Sequence, residues 1–239
     1  GPLIERLQEK WRDFPLVVNY LSRVEADVRE NLEEFRSSEQ EVPSVPLPFL
    51  PPRQERDSAV LRYRVNLLVN NAGGLAGEVL ASFASTVSEE DLRATIERNL
   101  LGTIFCSQAV ARSMKERRWG RIVNTASQAA LQAQQGGVYA SYGAAKAGVV
   151  AYTRYLAQEL GPFGITVNCI APAYVDTRRL RVRVFDAIPG SLEQLLAQIP
   201  LGRLAQPDDI AKVVEFLVTD LGDYVTGQCI NVCGGAIRF

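Results

Sequence analysis

Residues 120–172 read GRIVNTASQAALQAQQGGVYASYGAAKAGVVAYTRYLAQELGPFGITVNCIAP, and the periodicity of this stretch decides the fold class. Arg121–Thr125 and Ile165–Ile170 are short, β-branched and apolar without alternation, the pattern of strands buried on both faces. Between them Tyr139–Leu160 is long enough, and sufficiently free of proline, to be one helix. A strand, a helix and a second strand in this order form a parallel crossover unit.

The same alternation extends outward. Val65–Val69 reads as a strand that ends at Asn70-Asn71. Ser88-Glu-Glu-Asp91 resembles a capping box and opens a helix, which breaks near Asn99 and is followed by a second helix to about Arg117. Downstream come helical patterns at Leu192–Gln198 and Pro207–Val218 and a last strand near Gln228–Val232. The expected fold is therefore α/β, a Rossmann-like parallel sheet covered by helices on both faces. In such sheets the reactive groups gather at the carboxyl ends of the strands.

Composition limits the chemistry available there. The chain has 239 residues, 26 basic and 27 acidic side chains, and no histidine. The near-neutral balance gives no electrostatic footprint for nucleic acid or an anionic membrane, and no apolar run is long enough to cross a bilayer. Without imidazole there is no Ser-His-Asp or Cys-His nucleophile system and no histidine base, so proton transfer falls to Tyr, Lys, Asp, Glu or Cys. The four cysteines, Cys106, Cys169, Cys229 and Cys233, have neither zinc-site spacing nor the density of a secreted disulfide framework. No metal site is expected, and the chain reads as cytoplasmic.

Only four of the basic residues are lysine, so a lysine in a pocket stands out. Tyr142-Gly-Ala-Ala-Lys146 places a phenol and an ammonium four apart on one face of the long helix. A cation beside a phenol favours the phenolate, which brings a group that ordinarily titrates near pH 10 toward useful proton transfer. Alone, the pair is as readily a surface contact. Its weight comes from order: strand, Asn-Asn-Ala-Gly, a helix carrying Asn99, a strand leading to Ser127, then the Tyr/Lys helix. Tyr139 is a second phenol nearby, but position 143 is glycine rather than lysine.

Over about residues 65–239 the sequence closely resembles the short-chain dehydrogenase/reductase family. The resemblance rests on LLVNNAGG (67–74), ERNLLGT (97–103), GRIVNTAS (120–127), YGAAK (142–146), GITVNCIAPAYVDT (164–177) and the tail IPLGRLAQPDDIAKVVEFLVTD (199–220) with YVTGQCINVCGG (224–235). It implies hydride transfer between NAD or NADP and a carbonyl/alcohol substrate. Tyr142 would be the acid/base and Lys146 would lower its pKa and hold the nicotinamide ribose. Ser127 would hold the substrate oxygen, and Asn99 would anchor a proton-relay water. Asn70, Ala72, Gly73, Pro172, Ala173, Val175 and Thr177 would line the cofactor, together with Tyr142 and Lys146. The tail most resembles reductases of 3-oxoacyl thioesters, and the family implies a homodimer or homotetramer.

Three departures matter. Ser127 lies fifteen residues before Tyr142, a longer interval than the family's usual one, and Pro172-Ala173 replaces its Pro-Gly. Both bear on the shape of the substrate pocket. The larger departure is at the front. Family members begin with a strand and a glycine-rich turn whose backbone N–H groups meet the pyrophosphate, whereas residues 2–72 here contain no glycine.

That front segment divides into an N-terminal helical hairpin over 1–42 and a proline-rich linker over 43–64, with the dehydrogenase-like domain from 65. Val17, Leu21, Val24, Val28, Leu32 and Phe35 recur at helical spacing, and five of the twelve prolines fall within Pro43–Pro52. The helical stripe argues against Leu16–Tyr20 serving as the family's second strand. Residues 3–70 are instead similar to a helical stretch in the ATPase part of Lon-related bacterial proteases, without a Walker motif, and the two resemblances meet at RVNLLVNN. A fusion at that point leaves the Val65–Val69 strand as a sheet edge, to be covered by the N-terminal helices or another subunit. Two functions from different classes follow. One is an NAD(P)-dependent oxidoreductase; the other is a cofactor-free or catalytically impaired binding module that keeps the rear half of the fold. Substrate identity is not legible in the variable Arg178–Ile199 segment, where Arg178, Arg179, Arg181 and Arg183 read as a solvated basic loop.

Overall fold

The computed structural model describes residues 65–181 and 191–237. The proposed helical hairpin, the proline-rich linker and the stretch homologous in position to a nucleotide turn all lie outside the described residues. From Leu67 onward the chain forms one compact unit. Its four strands, β1 (Leu67–Asn70), β2 (Gly120–Thr125), β3 (Ile165–Pro172) and β4 (Cys229–Val232), pair in parallel in the order β1-β2-β3-β4. The Rossmann-like parallel sheet is therefore present. Among the described residues β1 pairs with β2.

In-register pairing lines up the strand ends. Asn70 lies opposite Asn124, and Cys169, one residue beyond Asn168 on β3, lies opposite both Asn124 and Cys229. Because the strands are parallel, their carboxyl ends emerge on one edge. This is the physical reason three sequence segments more than thirty residues apart meet.

The helices form where the sequence supplies caps and apolar faces. Ser88 caps α1 (Glu89–Ile96), its Oγ accepting from Asp91 N–H over 3.1 Å, and three acidic residues in the first turn suit the positive end of the helix dipole. No break follows. The chain continues through a π-helical turn over Glu97–Leu101 into α2 (Gly102–Arg117), which corrects the expected interruption near Asn99. Arg118 ends α2 in a left-handed conformation, φ 54°. Gly120 then lets β2 start against α2, since a Cβ there would stand 2.5 Å from the Met114 sulfur.

Helix α3 (Ala140–Leu160) packs Ala145, Val149, Val150, Leu156, Ala157 and Leu160 beneath the sheet. It starts one residue later than the periodicity suggests, because Tyr139 is left-handed. A shorter helix, α4, covers Ser191–Leu196, and α5 runs over Pro207–Val218 as expected. Asp209 Oδ2 accepts from Gln206 N–H over 2.7 Å at the start of α5, and Val214, Leu217 and Val218 are buried. The core between these helices and the sheet is Ile122, Val123, Val149, Ile165, Val167, Ile170 and Leu217. Each such side chain contributes about 1.5–3 kcal/mol by leaving water.

One part of the interior is polar and hydrogen-bonded. Asn70 Nδ2 donates to Ser107 Oγ over 3.1 Å and to Asn124 Oδ1 over 2.8 Å, and Asn124 Nδ2 donates to Thr153 Oγ1 over 2.9 Å. This ladder joins α2, β1, β2 and α3 under the strand ends. Buried amides tolerate such a place only when their bonds are made, so the ladder fixes how the two helices sit on the sheet.

Candidate active site

Asn99 is the centre from which the site is built. The π-helical turn carries it inward until it is fully buried. Its Oδ1 accepts from Gly74 N–H over 2.9 Å, while Nδ2 donates to Gly74 O over 2.9 Å and to Thr95 O over 2.7 Å. The side chain thus grips the loop after β1 on both polar groups of one residue. Its own carbonyl accepts from Thr103 Oγ1 over 2.9 Å. Thr103 was not singled out in the sequence, although its position four residues after the asparagine is the spacing at which a threonine reaches back along a helix.

Lys146 lies against the same loop. An ideal Cβ on Gly73 would be 3.1 Å from Lys146 Nζ and 2.5 Å from Asn99 Oδ1, so the two side chains flank this glycine. Nζ donates to Thr125 O at the end of β2 over 2.6 Å. Close approach of α3 to the π-helical turn is what brings them together; a Cβ on Gly148 would stand 2.9 Å from Leu100 Cδ2. The ammonium also sits 5.7 Å from the centre of the Tyr142 ring. The four-residue spacing read from the sequence therefore becomes an actual juxtaposition.

Only 2% of Lys146 is exposed, and burial pushes its ammonium down to about 8. Between that value and the ordinary lysine value of 10.5 the unfolded chain keeps a proton that the folded chain has released, so this group's contribution makes stability rise with pH across that window. Relative to Lys146→Met, the wild-type protein is expected to gain about 2 kcal/mol of unfolding free energy between pH 8 and pH 10. Urea titrations of both proteins at several pH values check it, and parallel pH dependences would refute the shift.

Ser127 follows β2 and caps a short 3-10 turn over Gln128–Ala130, its Oγ accepting from Ala129 N–H over 3.2 Å. That turn packs on the first turn of α3, for a Cβ on Gly143 would be 2.8 Å from Ala129 O. Ser127 is half-buried, and its hydroxyl keeps a proton and a second lone pair for another group. Tyr142, also half-buried, meets the Tyr139 ring edge-on at 6.2 Å between centroids. All four proposed catalytic side chains thus stand around the ends of β1 and β2.

The residues expected to line a cofactor fall on the same edge, with differing roles. Ala72 and Gly73 are exposed at the end of β1. Asn70 is buried, and its Nδ2 donates to Ser107 and Asn124. Pro172 ends β3, Ala173 N–H donates to Val232 O over 3.1 Å, and Val175 bridges to Ala205. Thr177 caps the single turn Arg178–Leu180, its Oγ1 accepting from Leu180 N–H. Of the basic loop, Arg181 forms a two-pronged ion pair with Asp176 at 2.6 Å; residues 182–190, and with them Arg183, lie outside the described residues. A separate hollow lined by Tyr174, Ile199, Leu201, Val232 and Gly234 includes Ala173 but none of the four catalytic candidates.

Comparison with known proteins agrees with the fold. The family profile described as enoyl-(acyl carrier protein) reductase matches residues 58–236. Over 172 residues the chain is 49% identical to a cyclohexanol dehydrogenase of Rhodococcus sp. (strain TK6), covering 72% of this chain and 63% of that protein. A 3-oxoacyl-[acyl-carrier-protein] reductase of Synechocystis sp. is 38% identical over 177 residues, 74% of this chain and 66% of its own length. The crystal structure of a 3-oxoacyl-[acyl-carrier protein] reductase with bound NAD from Brucella melitensis superimposes with a TM-score of 0.67 at 30% identity, covering 77% of this chain and 68% of that one. The chain thus spans a little under two thirds of the lengths of these curated relatives.

Proposed function

Because this chain belongs to the short-chain dehydrogenase/reductase family, we propose that it is an NAD(P)-dependent oxidoreductase acting on a carbonyl/alcohol pair. The observation that carries the reading is the buried Lys146 beside Tyr142, with Asn99 fixed against the same glycine. A bound nicotinamide supplies or accepts the hydride. Tyr142 gives its phenolic proton to the substrate oxygen in reduction and takes it back in oxidation. Lys146 stabilises the phenolate through its charge, and Ser127 holds the substrate oxygen by hydrogen bonding.

The residues present fit the nicotinamide end of such a cofactor. Gly73 carries no side chain where any β-carbon would crowd Asn99 and Lys146, and the ribose hydroxyls would meet Lys146 Nζ. The pyrophosphate end has no glycine turn in residues 2–72. That single fact favours the second reading, a binding module that keeps the fold and takes no cofactor. A 3-oxoacyl thioester is the substrate class we favour, on the likeness of the relatives. A cytoplasmic location and assembly as a homodimer or homotetramer complete the reading; among the described residues no helix is long and apolar enough to cross a membrane.

Titration with NADH and with NADPH, followed by nicotinamide fluorescence, separates the two readings. Saturable binding of either is expected. No binding at millimolar concentration of both would remove the dehydrogenase reading and leave the module.

A further inference from the structure

Tyr139, the residue that enters α3, has φ 64° and ψ 22°, one of two non-glycine residues with positive φ among those described. A side chain in this region is held there only by surroundings that impose it. Here the imposing residue is Ser82, in the loop after β1, which is 2% exposed. Tyr139 N–H donates to Ser82 Oγ over 2.9 Å, and Ala140 N–H donates to Ser82 O over 3.3 Å. The Ser82 hydroxyl proton goes to Val79 O, which orients its lone pairs toward Tyr139. The Tyr139 carbonyl in turn accepts from Gly143 N–H over 2.7 Å, closing the first turn of the helix around Tyr142.

No side chain caps α3 by hydrogen bonding from Tyr139 itself, so Ser82 anchors the chain where the helix begins. The loop carrying Ser82 is held at its other end by Asn99 through Gly74, and between them by Thr95 Oγ1, which accepts from Ala76 N–H over 3.1 Å. One strap therefore connects the π-helical turn to the start of the Tyr142 helix. Successive residues of a helix point about 100° apart, so the point at which α3 begins sets the direction of the Tyr142 phenol.

We propose that Ser82 is a positioning residue for Tyr142, acting by clamping the left-handed Tyr139. The proposal rests on the reading of Tyr142 as the acid/base. It is tested on Ser82→Ala by hydrogen exchange and mass spectrometry of the peptide spanning residues 138–144, alongside kcat and the KM for NADH or NADPH. Exchange of this peptide is expected to quicken about tenfold while the rest of α3 is unchanged, with kcat falling about tenfold at constant cofactor KM. The same substitution made on Tyr139→Gly, where glycine takes the positive φ freely, is expected to have a much smaller effect, and this background keeps the test open if Ser82→Ala alone does not fold. Unchanged exchange over 138–144, unchanged kcat in an enzyme that turns over, or an equal effect in both backgrounds would overturn the proposal. Faster local exchange in a protein that binds neither nucleotide would sustain the clamp while removing the dehydrogenase reading.

Discussion

Tyr142→Phe is expected to lower turnover by about a thousandfold or more while leaving cofactor affinity unchanged. The substitution removes one oxygen and keeps the ring, so the edge-on contact with Tyr139 and the stacking of the Lys146 ammonium are retained. Lys146 keeps its bond to Thr125 O, and Asn99 keeps its three bonds to Gly74 and Thr95. What disappears is the phenolic proton of Tyr142, in a chain that has no histidine to replace it. A change confined to kcat, with the nucleotide dissociation constant and the thermal midpoint constant, marks a group that acts in the transition state rather than in binding. Steady-state kinetics with parallel nicotinamide fluorescence measures both, and an active Tyr142→Phe enzyme would remove the acid/base assignment.

Gly73→Ala tests the other half of the site. A methyl group at this residue meets Asn99 Oδ1 at 2.5 Å and Lys146 Nζ at 3.1 Å. Neither neighbour yields easily. Asn99 is buried and holds Gly74 by two bonds; Lys146 is tied to Thr125 O by a 2.6 Å bond. Displacing Asn99 leaves buried donors and acceptors unpaired, at about 1–3 kcal/mol for each group. The expected result is a loss of roughly a hundredfold in kcat/KM, since a shift of about 1 Å in a positioned group costs that much, with a clear drop in stability. Gly161→Ala serves as the control, because a Cβ there meets nothing within 4 Å and the backbone is not left-handed. That variant is expected to remain within about 0.5 kcal/mol of wild type. Equal behaviour of the two alanine variants in urea unfolding and in kinetics would show that the Asn99–Gly73–Lys146 packing is not what the geometry indicates.

Much of the fold was legible because its signals are local. The β-branched runs at 121–125 and 165–170, the serine at position 88 and the apolar face of 207–218 each declare an element without reference to the rest of the chain. The Tyr142/Lys146 pair was legible for the same reason, being one helical turn apart. The expected break near Asn99 proved to be a π-helical turn because bonds from Asn99 to Gly74, twenty-five residues away, draw that residue inward. The late start of α3 has a similar origin: Tyr139 is left-handed because Ser82, fifty-seven residues upstream, accepts its N–H. Asn70 reads from the sequence as a cofactor-lining residue at a strand end, and only the fold shows that its Nδ2 also donates to Ser107 and Asn124.

By itself, then, the sequence determined the α/β class, the candidate phenol and ammonium, the absence of histidine from these residues, and the absence of glycine from residues 2–72. These depend on residue type and on spacings of a few residues. Tertiary structure alone decided that Asn99 and Lys146 share Gly73, that Thr103 occupies the Asn99 carbonyl, and that Ser82 accepts the N–H of Tyr139 where α3 begins. Such contacts bridge positions far apart in the chain. They form because parallel strands in register deliver their ends to one edge, and because buried polar groups must find partners wherever the fold has placed them.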